Sequence, residues 1–297
     1  MNKTHSSIKP VVVIPVHLQE PTAAETISLR QCNTVLSRWD IVIHAPEFLD
    51  LAAYLKVIPN AKELRVKPSW MESIKSYNQM MMSPVVFRAL KNYTHMLLHE
   101  PDAIVLRDEL EYWCNQPFDY IGAPWFDGFK DAHSDALVVG VGNSGFSLHR
   151  LDMSRHVTSS RKRWYPWRQV INDLTRGVRG DLPCLHRGYI GAGSGGQMKG
   201  AWKLYQENCD MFWSNLVPRV FPEFKVAPVT SALKFSWEVL PARCMEMNQG
   251  KLPFGIHAWA KYDIDFLIPH LAKIGIDLDG IPNERSLNQL SSNQDRC

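Results

Sequence analysis

The sequence predicts an α/β fold, a doubly wound mixed sheet flanked by helices, and three observations carry that expectation. A β-branched run, Val11 to Val16, is followed after one helix length by a second apolar run, Asp40 to His44. A third, from His95 to Leu106, is interrupted by two carboxylates. Near-continuous apolar runs separated by helical stretches are the pattern of strands buried on both faces of a largely parallel sheet.

Size and composition agree with one large domain. The chain has 297 residues, 45% of them hydrophobic, enough to bury a full core. We expect a single unit over residues 1–282, with two halves meeting near residue 125, and a flexible polar tail over 283–297. A formal net charge of +3 is too small for the electrostatic footprint of a nucleic-acid binder. The six cysteines are scattered without a Cys-x-x-Cys pair, which argues against a zinc site or a disulfide framework. The apolar run at 11–16 is shorter than a signal-peptide core, and no segment reaches the ~18 apolar residues of a membrane span. A cytoplasmic protein is expected, with peripheral attachment at the inner face of the membrane left open.

In chain order, Val11 to Val16 reads as a buried strand running into its C-terminal loop at Pro15-Val16-His17. A helix is expected from Glu25 to Leu36, a strand over Asp40 to His44, and a further helix around Phe48 to Leu55. Ser69 to Lys91 spaces Ile74, Tyr77, Met81 and Val85 three or four apart, which predicts a helix face. The three methionines at 80–82 read as core filler rather than metal ligands. Asp108 to Glu111 reads as a helix start with a pattern like a capping box, so Asp108 is expected to be structural. Asp119 to Trp125 predicts a strand turning into a surface loop, and Gly140 to Leu148 a glycine-rich stretch leading into another strand. Between Arg150 and Arg187 stand nine Lys or Arg residues against three Asp, with Trp164 and Trp167 among them.

The chemistry centres on Glu100-Pro101-Asp102. Residues two apart in extended backbone point to one side, so both carboxylates can face a single point beyond the strand end. Pro101 holds Glu100 extended. Hard oxygen ligands at a strand's C-terminal edge suit Mn²⁺ or Mg²⁺ bound with a diphosphate, and open α/β sheets bind ligands at that edge. His257, in Gly255-Ile-His-Ala-Trp259, can complete a metal site, although a histidine beside a tryptophan is more often a packed side chain. Asn143-Ser144-Gly145 can line a sugar pocket or form an ordinary turn between strands. Asp210 is a base candidate or a helix cap. No Walker lysine follows a glycine loop, and Gly191 to Gly196 does not follow a strand, so a dinucleotide fingerprint is disfavoured.

VVVIPV, SYNQMMMS, PDAIVL, LEYWC, FDYIGAPWF, GNSGFSLHR, the Asp-x-Phe-Trp piece at 210–213 and PFGIHAW occur in this order over positions 11 to 262. Together they resemble a family of uncharacterised glycosyltransferase-like proteins of polysaccharide assembly, the O-antigen and capsule systems included. That resemblance implies a GT-A-like, nucleotide-sugar-binding sheet, with a donor half up to about residue 125 and an acceptor half from 126 to 282. It implies donor binding by Pro15, Val16, His17, Tyr77, Asn78, Asp102, Asn143, Ser144 and Gly145. Glu100, Asp102 and His257 would be metal ligands, and Asp210 the catalytic carboxylate. Two positions depart from the family pattern: Glu100 stands where Gln is common, and Cys209 precedes Asp210 where a Glu-Asp pair is usual. The implied function is transfer of a hexose from a nucleotide diphosphate sugar, with UDP-galactose a candidate donor, to a cell-surface glycan or lipid-linked saccharide. For the basic stretch the candidate partner is an anionic membrane surface or lipid-linked acceptor, against an ordinary solvated loop. A glycan-binding module without turnover and a sugar nucleotidyltransferase or hydrolase are the alternatives.

Overall fold

Val11, Val12, Val13 and Ile14 have no solvent exposure on either face, and a β-branched run buried on both sides belongs in the middle of a sheet. The computed structural model, which describes residues 8–278, places them there. The expected tail over 283–297 lies outside the described residues. Strand β1 (Pro10–Pro15) pairs in parallel with β2 (Asp40–Pro46) and with β4 (His95–His99), and β2 pairs in parallel with β3 (Lys62–Val66). After β5 (Ile104–Val105), β6 (Tyr120–Ile121), β7 (Ala123–Phe126) and β8 (Val138–Gly142) comes β9 (Phe146–Arg150), which joins β4 antiparallel. The main sheet runs β3-β2-β1-β4-β9-β6 and is therefore mixed. A second sheet is built from β10 (Ser236–Trp237), β11 (Gly255–Ile256) and β5, and a two-stranded one from β7 and β8. The α/β class and mixed sheet expected from the sequence are the ones observed.

The first helix, Ala23–Val35, starts at a capping box in which Thr22 and Glu25 exchange side-chain bonds, and it buries Ile27, Leu29 and Cys32 against the sheet. The next begins later than expected. Phe48 sits at φ 72° and is 96% exposed, so the chain leaves β2 through a turn and the helix is Ala52–Val57. The single helix expected over Ser69–Lys91 is divided into Ile74–Met81 and Pro84–Ala89. Pro84 has no N–H to continue the first helix, while Ser83 accepts from Val85 N at 3.2 Å and caps the second. Met80, Met81 and Met82 fill the core at 0–1% exposure, but Ile74 is 79% exposed despite its spacing. Strand β3 is charged and lies at the sheet edge, which is why periodicity did not reveal it.

Two other expectations are corrected. Asp108 is structural, but through Arg38 and Trp39 rather than a capping box: its carboxylate pairs with the Arg38 guanidinium and accepts from Trp39 Nε1 at 3.2 Å. Asp119 to Trp125 is not a strand leading to a surface loop, because β6 and β7 are both buried. The glycines from 140 explain that burial. A Cβ on Gly142 would stand 1.7 Å from the Trp125 indole, so the bare backbone of β8 is what lets the ring lie flat on it. Among the described residues, no helix is long and apolar enough to cross a membrane.

Candidate functional site

At the end of β4 the chain turns out of one sheet and into another. Glu100 N donates to Gly145 O at 2.8 Å, Ala103 N closes the turn on Glu100 O at 2.9 Å, and β5 begins at Ile104. Glu100 and Asp102 thus project where the two sheets part, beside the end of β1. Since β2 and β4 flank β1 on opposite sides, this is the switch point of the sheet, where a crevice opens outside the strand ends. Strand β11 runs antiparallel to β5, with Ile256 opposite Ile104, and so delivers His257 to the same place. His257 Nε2 lies 3.4 Å from Glu100 Oε2 and 3.3 Å from Asp102 Oδ1. One ligand atom from each of the three falls within 4.8 Å of the others.

A third carboxylate, not anticipated from the sequence, completes the arrangement. Glu238 Oε1 lies 3.1 Å from His257 Nδ1. Burial would pull the His257 proton off, but Asp102, Glu100 and Glu238 outweigh it and hold the imidazole well above its usual range. Burial likewise pushes Asp102 and Glu238 up, and in both the charge and hydrogen bond of His257 prevail and hold them below the ordinary carboxylate range. In neutral His257, Nδ1–H donating to Glu238 leaves the Nε2 lone pair facing Glu100 and Asp102. Two hard carboxylates and an imidazole, with Asp102 still 47% exposed on the solvent side, fit Mn²⁺ or Mg²⁺ completed by phosphate oxygens or water. Glu238 follows Phe235-Ser-Trp237, all fully buried. A carboxylate at the end of a buried apolar run is the same signal that singled out Glu100, and it could have been read here too.

The loop between β8 and β9 holds the imidazole in place. Asn143 adopts φ 68° and is 4% exposed. Its Oδ1 accepts from Gly145 N at 2.8 Å, its carbonyl accepts from Tyr120 OH at 2.9 Å, and its Nδ2 lies 3.1 Å from His257 Nδ1. A Cβ on Gly145 would stand 2.1 Å from the His257 ring, so only glycine permits this approach. Ser144 accepts Ser147 Oγ at its carbonyl at 3.0 Å. Asn143 and Gly145, expected in a sugar pocket, both lie against His257.

Tyr77 OH donates to Glu100 Oε1 at 3.3 Å, so this expected donor contact also belongs to the acidic cluster. Asn78 does not face it: its Oδ1 accepts from Cys209 N at 2.7 Å and its Nδ2 donates to Ile74 O at 2.9 Å. It ties the helix Ile74–Met81 to the short helix Cys209–Met211 that carries Asp210. Burial pushes the Asp210 carboxyl up and the Glu238 charge adds to that, against backbone bonds from Met211 and Asn143. Asp210 therefore lies within electrostatic reach of Glu238. Pro15 and Val16 are buried at the end of β1, with Val16 N on His44 O at 2.8 Å, while His17 is exposed on the same sheet edge.

The basic stretch stands apart from this cluster. Lys162 pairs with Glu223 at 3.7 Å and lies over Phe221, and Arg163 donates to Gly191 O at 2.7 Å with its guanidinium 4.0 Å over the Trp167 ring. Arg163 is half-buried and turned into the fold, whereas Lys162 stays exposed beside its partner.

Replacing Glu238 by Gln is expected to weaken Mn²⁺ affinity by about 10- to 100-fold, because the carboxylate that fixes the imidazole is lost while its shape is kept. Isothermal titration with Mn²⁺ reads this directly, and unchanged affinity would remove Glu238 from the site.

Residues 60–257 match the model of a family described as "Protein of unknown function (DUF5672)". No curated protein matches the sequence. Among solved structures, the chain is similar to the galactosyltransferase LgtC in complex with donor and acceptor sugar analogs, at 11% identity over 92% of this chain and 98% of that one, with a TM-score of 0.44. It is similar to mouse xyloside xylosyltransferase 1 at 10% identity over 84% and 97%, with a TM-score of 0.43. It is also similar to core-mannan synthase A from Aspergillus fumigatus in its Mn/GDP form, at 13% identity over 52% of this chain and 63% of that one, with a TM-score of 0.38. Similarity at this level identifies no activity.

Proposed function

This chain belongs to that family of proteins of unknown function, and from that premise we propose that it is a metal-assisted glycosyltransferase acting on a nucleotide diphosphate sugar. The observation that carries the proposal is the convergence of Glu100, Asp102 and His257 at the switch point of the sheet, backed by Glu238. Glu100, Asp102 and His257 would hold Mn²⁺ or Mg²⁺, which when bound supplies positive charge against the departing nucleoside diphosphate. The chain's own contribution is preorganisation. Glu238 fixes the imidazole, Asn143 supports the Glu238 carboxylate, Gly145 lets the loop close on the ring, and Tyr77 orients Glu100, so little is left to rearrange when charge develops. Asp210, a half-buried carboxyl with a raised proton affinity, would accept the proton of an acceptor hydroxyl or orient it. A hexose donor such as UDP-galactose and a glycan or lipid-linked saccharide acceptor fit this division of labour.

The test is a thermal-shift screen of nucleotide sugars with and without Mn²⁺, followed by detection of released nucleoside diphosphate. A donor that binds only the folded chain raises its midpoint by mass action, and by more when the metal is present. If none of the nucleotide sugars releases nucleoside diphosphate with either metal, the proposal is rejected and a binding module remains.

A further inference from the structure

The helices Trp167–Val178 and Leu182–Ala192 form a hairpin with an exposed apolar surface it does not need for its own packing. The two helices meet through glycines: a Cβ on Gly177 would fall 2.1 Å from Leu185, and one on Gly188 would fall 2.8 Å from Leu174. Turned to solvent are Trp167 at 55% exposure, Ile171 at 60%, Val178 at 81%, Leu182 at 70% and Tyr189 at 68%. At about 100° per residue the first three fall within about 40° of one another on their helix, and the last two within about 20° on theirs. Apolar exposure gathered into stripes, rather than scattered singly, marks a contact surface.

Its charge says what kind. Arg161, Arg168 and Arg179 are exposed and make no ion pair among the described residues. Neither acid of the hairpin offsets them. Asp173 is 1% exposed and bound by Tyr165 and Gln169, and Asp181 pairs with Arg176 at 3.5 Å. Aromatic and aliphatic stripes rimmed by free arginines, with no free carboxylate, complement an apolar boundary beneath negative headgroups. We propose that this hairpin docks the protein on an anionic lipid bilayer surface. The proposal is independent of the glycosyl-transfer reading, and its test uses neither donor nor acceptor.

The full chain is sedimented with phosphatidylcholine vesicles, with and without phosphatidylglycerol, across a salt series. Binding is expected to require the anionic lipid and to fall with salt. Arg168→Gln with Arg179→Gln is expected to weaken it roughly fivefold per arginine. Ile171→Ser with Val178→Ser is expected to weaken it at least about tenfold with an unchanged melting temperature, since both side chains are exposed. Equal binding to neutral vesicles, or wild-type binding by both variants, would overturn the proposal. So would sedimentation equilibrium showing that the wild type self-associates and the Ile171/Val178 variant is monomeric with vesicle binding intact, which would assign the stripe to a second copy of the chain.

Discussion

Asp102→Ala is expected to lower turnover by about two orders of magnitude or more, a loss of about 3 kcal/mol of transition-state stabilisation, in a protein that remains folded. The two halves of that expectation have separate causes. Asp102 supplies one of the three converging ligand atoms, and its loss leaves a cation held only by Glu100 and His257. Its side chain is nevertheless 47% exposed and its ion-pair partner is His257, which keeps Glu238 and Glu100, so truncation opens no cavity in the core. Steady-state kinetics with the donor found by screening, together with a melting curve, checks both halves. Near-normal activity in a folded variant would remove the metal assignment and with it the enzymatic proposal.

What the sequence disclosed of this site depended on how each residue's neighbours reported burial. Glu100 and Asp102 were legible because an apolar run stopped at two carboxylates. His257 is a ligand candidate only through family resemblance. The feature that places it is the antiparallel pairing of β11 with β5 over a separation of about 150 residues, which no local pattern encodes. Glu238 is the instructive case: the local signal was present, but its meaning depends on His257 being next to it. Asn143-Ser144-Gly145 reads locally as a sugar pocket or an ordinary turn, and no local pattern shows that the turn packs against the imidazole of His257. The fold was more accessible. Strands β1, β2 and β4 are buried and β-branched or aliphatic, whereas the charged edge strand β3 and the proline-divided helix pair before β4 follow from tertiary context. The basic stretch shows the same limit. Composition counts Arg163 as surface charge, but its bond to Gly191 O and its stacking on Trp167 turn it into the fold, while Lys162 stays at the surface.

The second large effect expected is acid destabilisation between about pH 6.5 and 4, driven by histidines that the site does not use. His44, His95 and His149 are 0%, 7% and 1% exposed, and neither ring nitrogen of His44 has a partner. Burial lowers His44 and His95 to about 4 and His149 to about 3, with Arg150 adding to the effect at His95. Their folded values lie below the ordinary histidine value of about 6.5, so in this window the unfolded chain binds more protons. Stability is therefore complete above about pH 6.5 and falls as the pH drops, by about 1.4 kcal/mol per pH unit for each histidine at its steepest, or roughly 4 for the three. Asp119 and Asp210, which burial pushes up, act in the opposite sense and return part of that slope in the lower half of the window. The cleaner measurement is thus a difference. His149 packs against Tyr120, Phe87 and Trp213 at centroid distances of 4.8, 5.9 and 5.3 Å, an aromatic setting that phenylalanine can occupy without a proton to gain. In urea titrations from pH 7 to 4.5, His149→Phe is expected to flatten the loss of stability by about 1.4 kcal/mol per pH unit relative to the wild type. Parallel pH profiles for the two proteins would mean that His149 is not held neutral by burial.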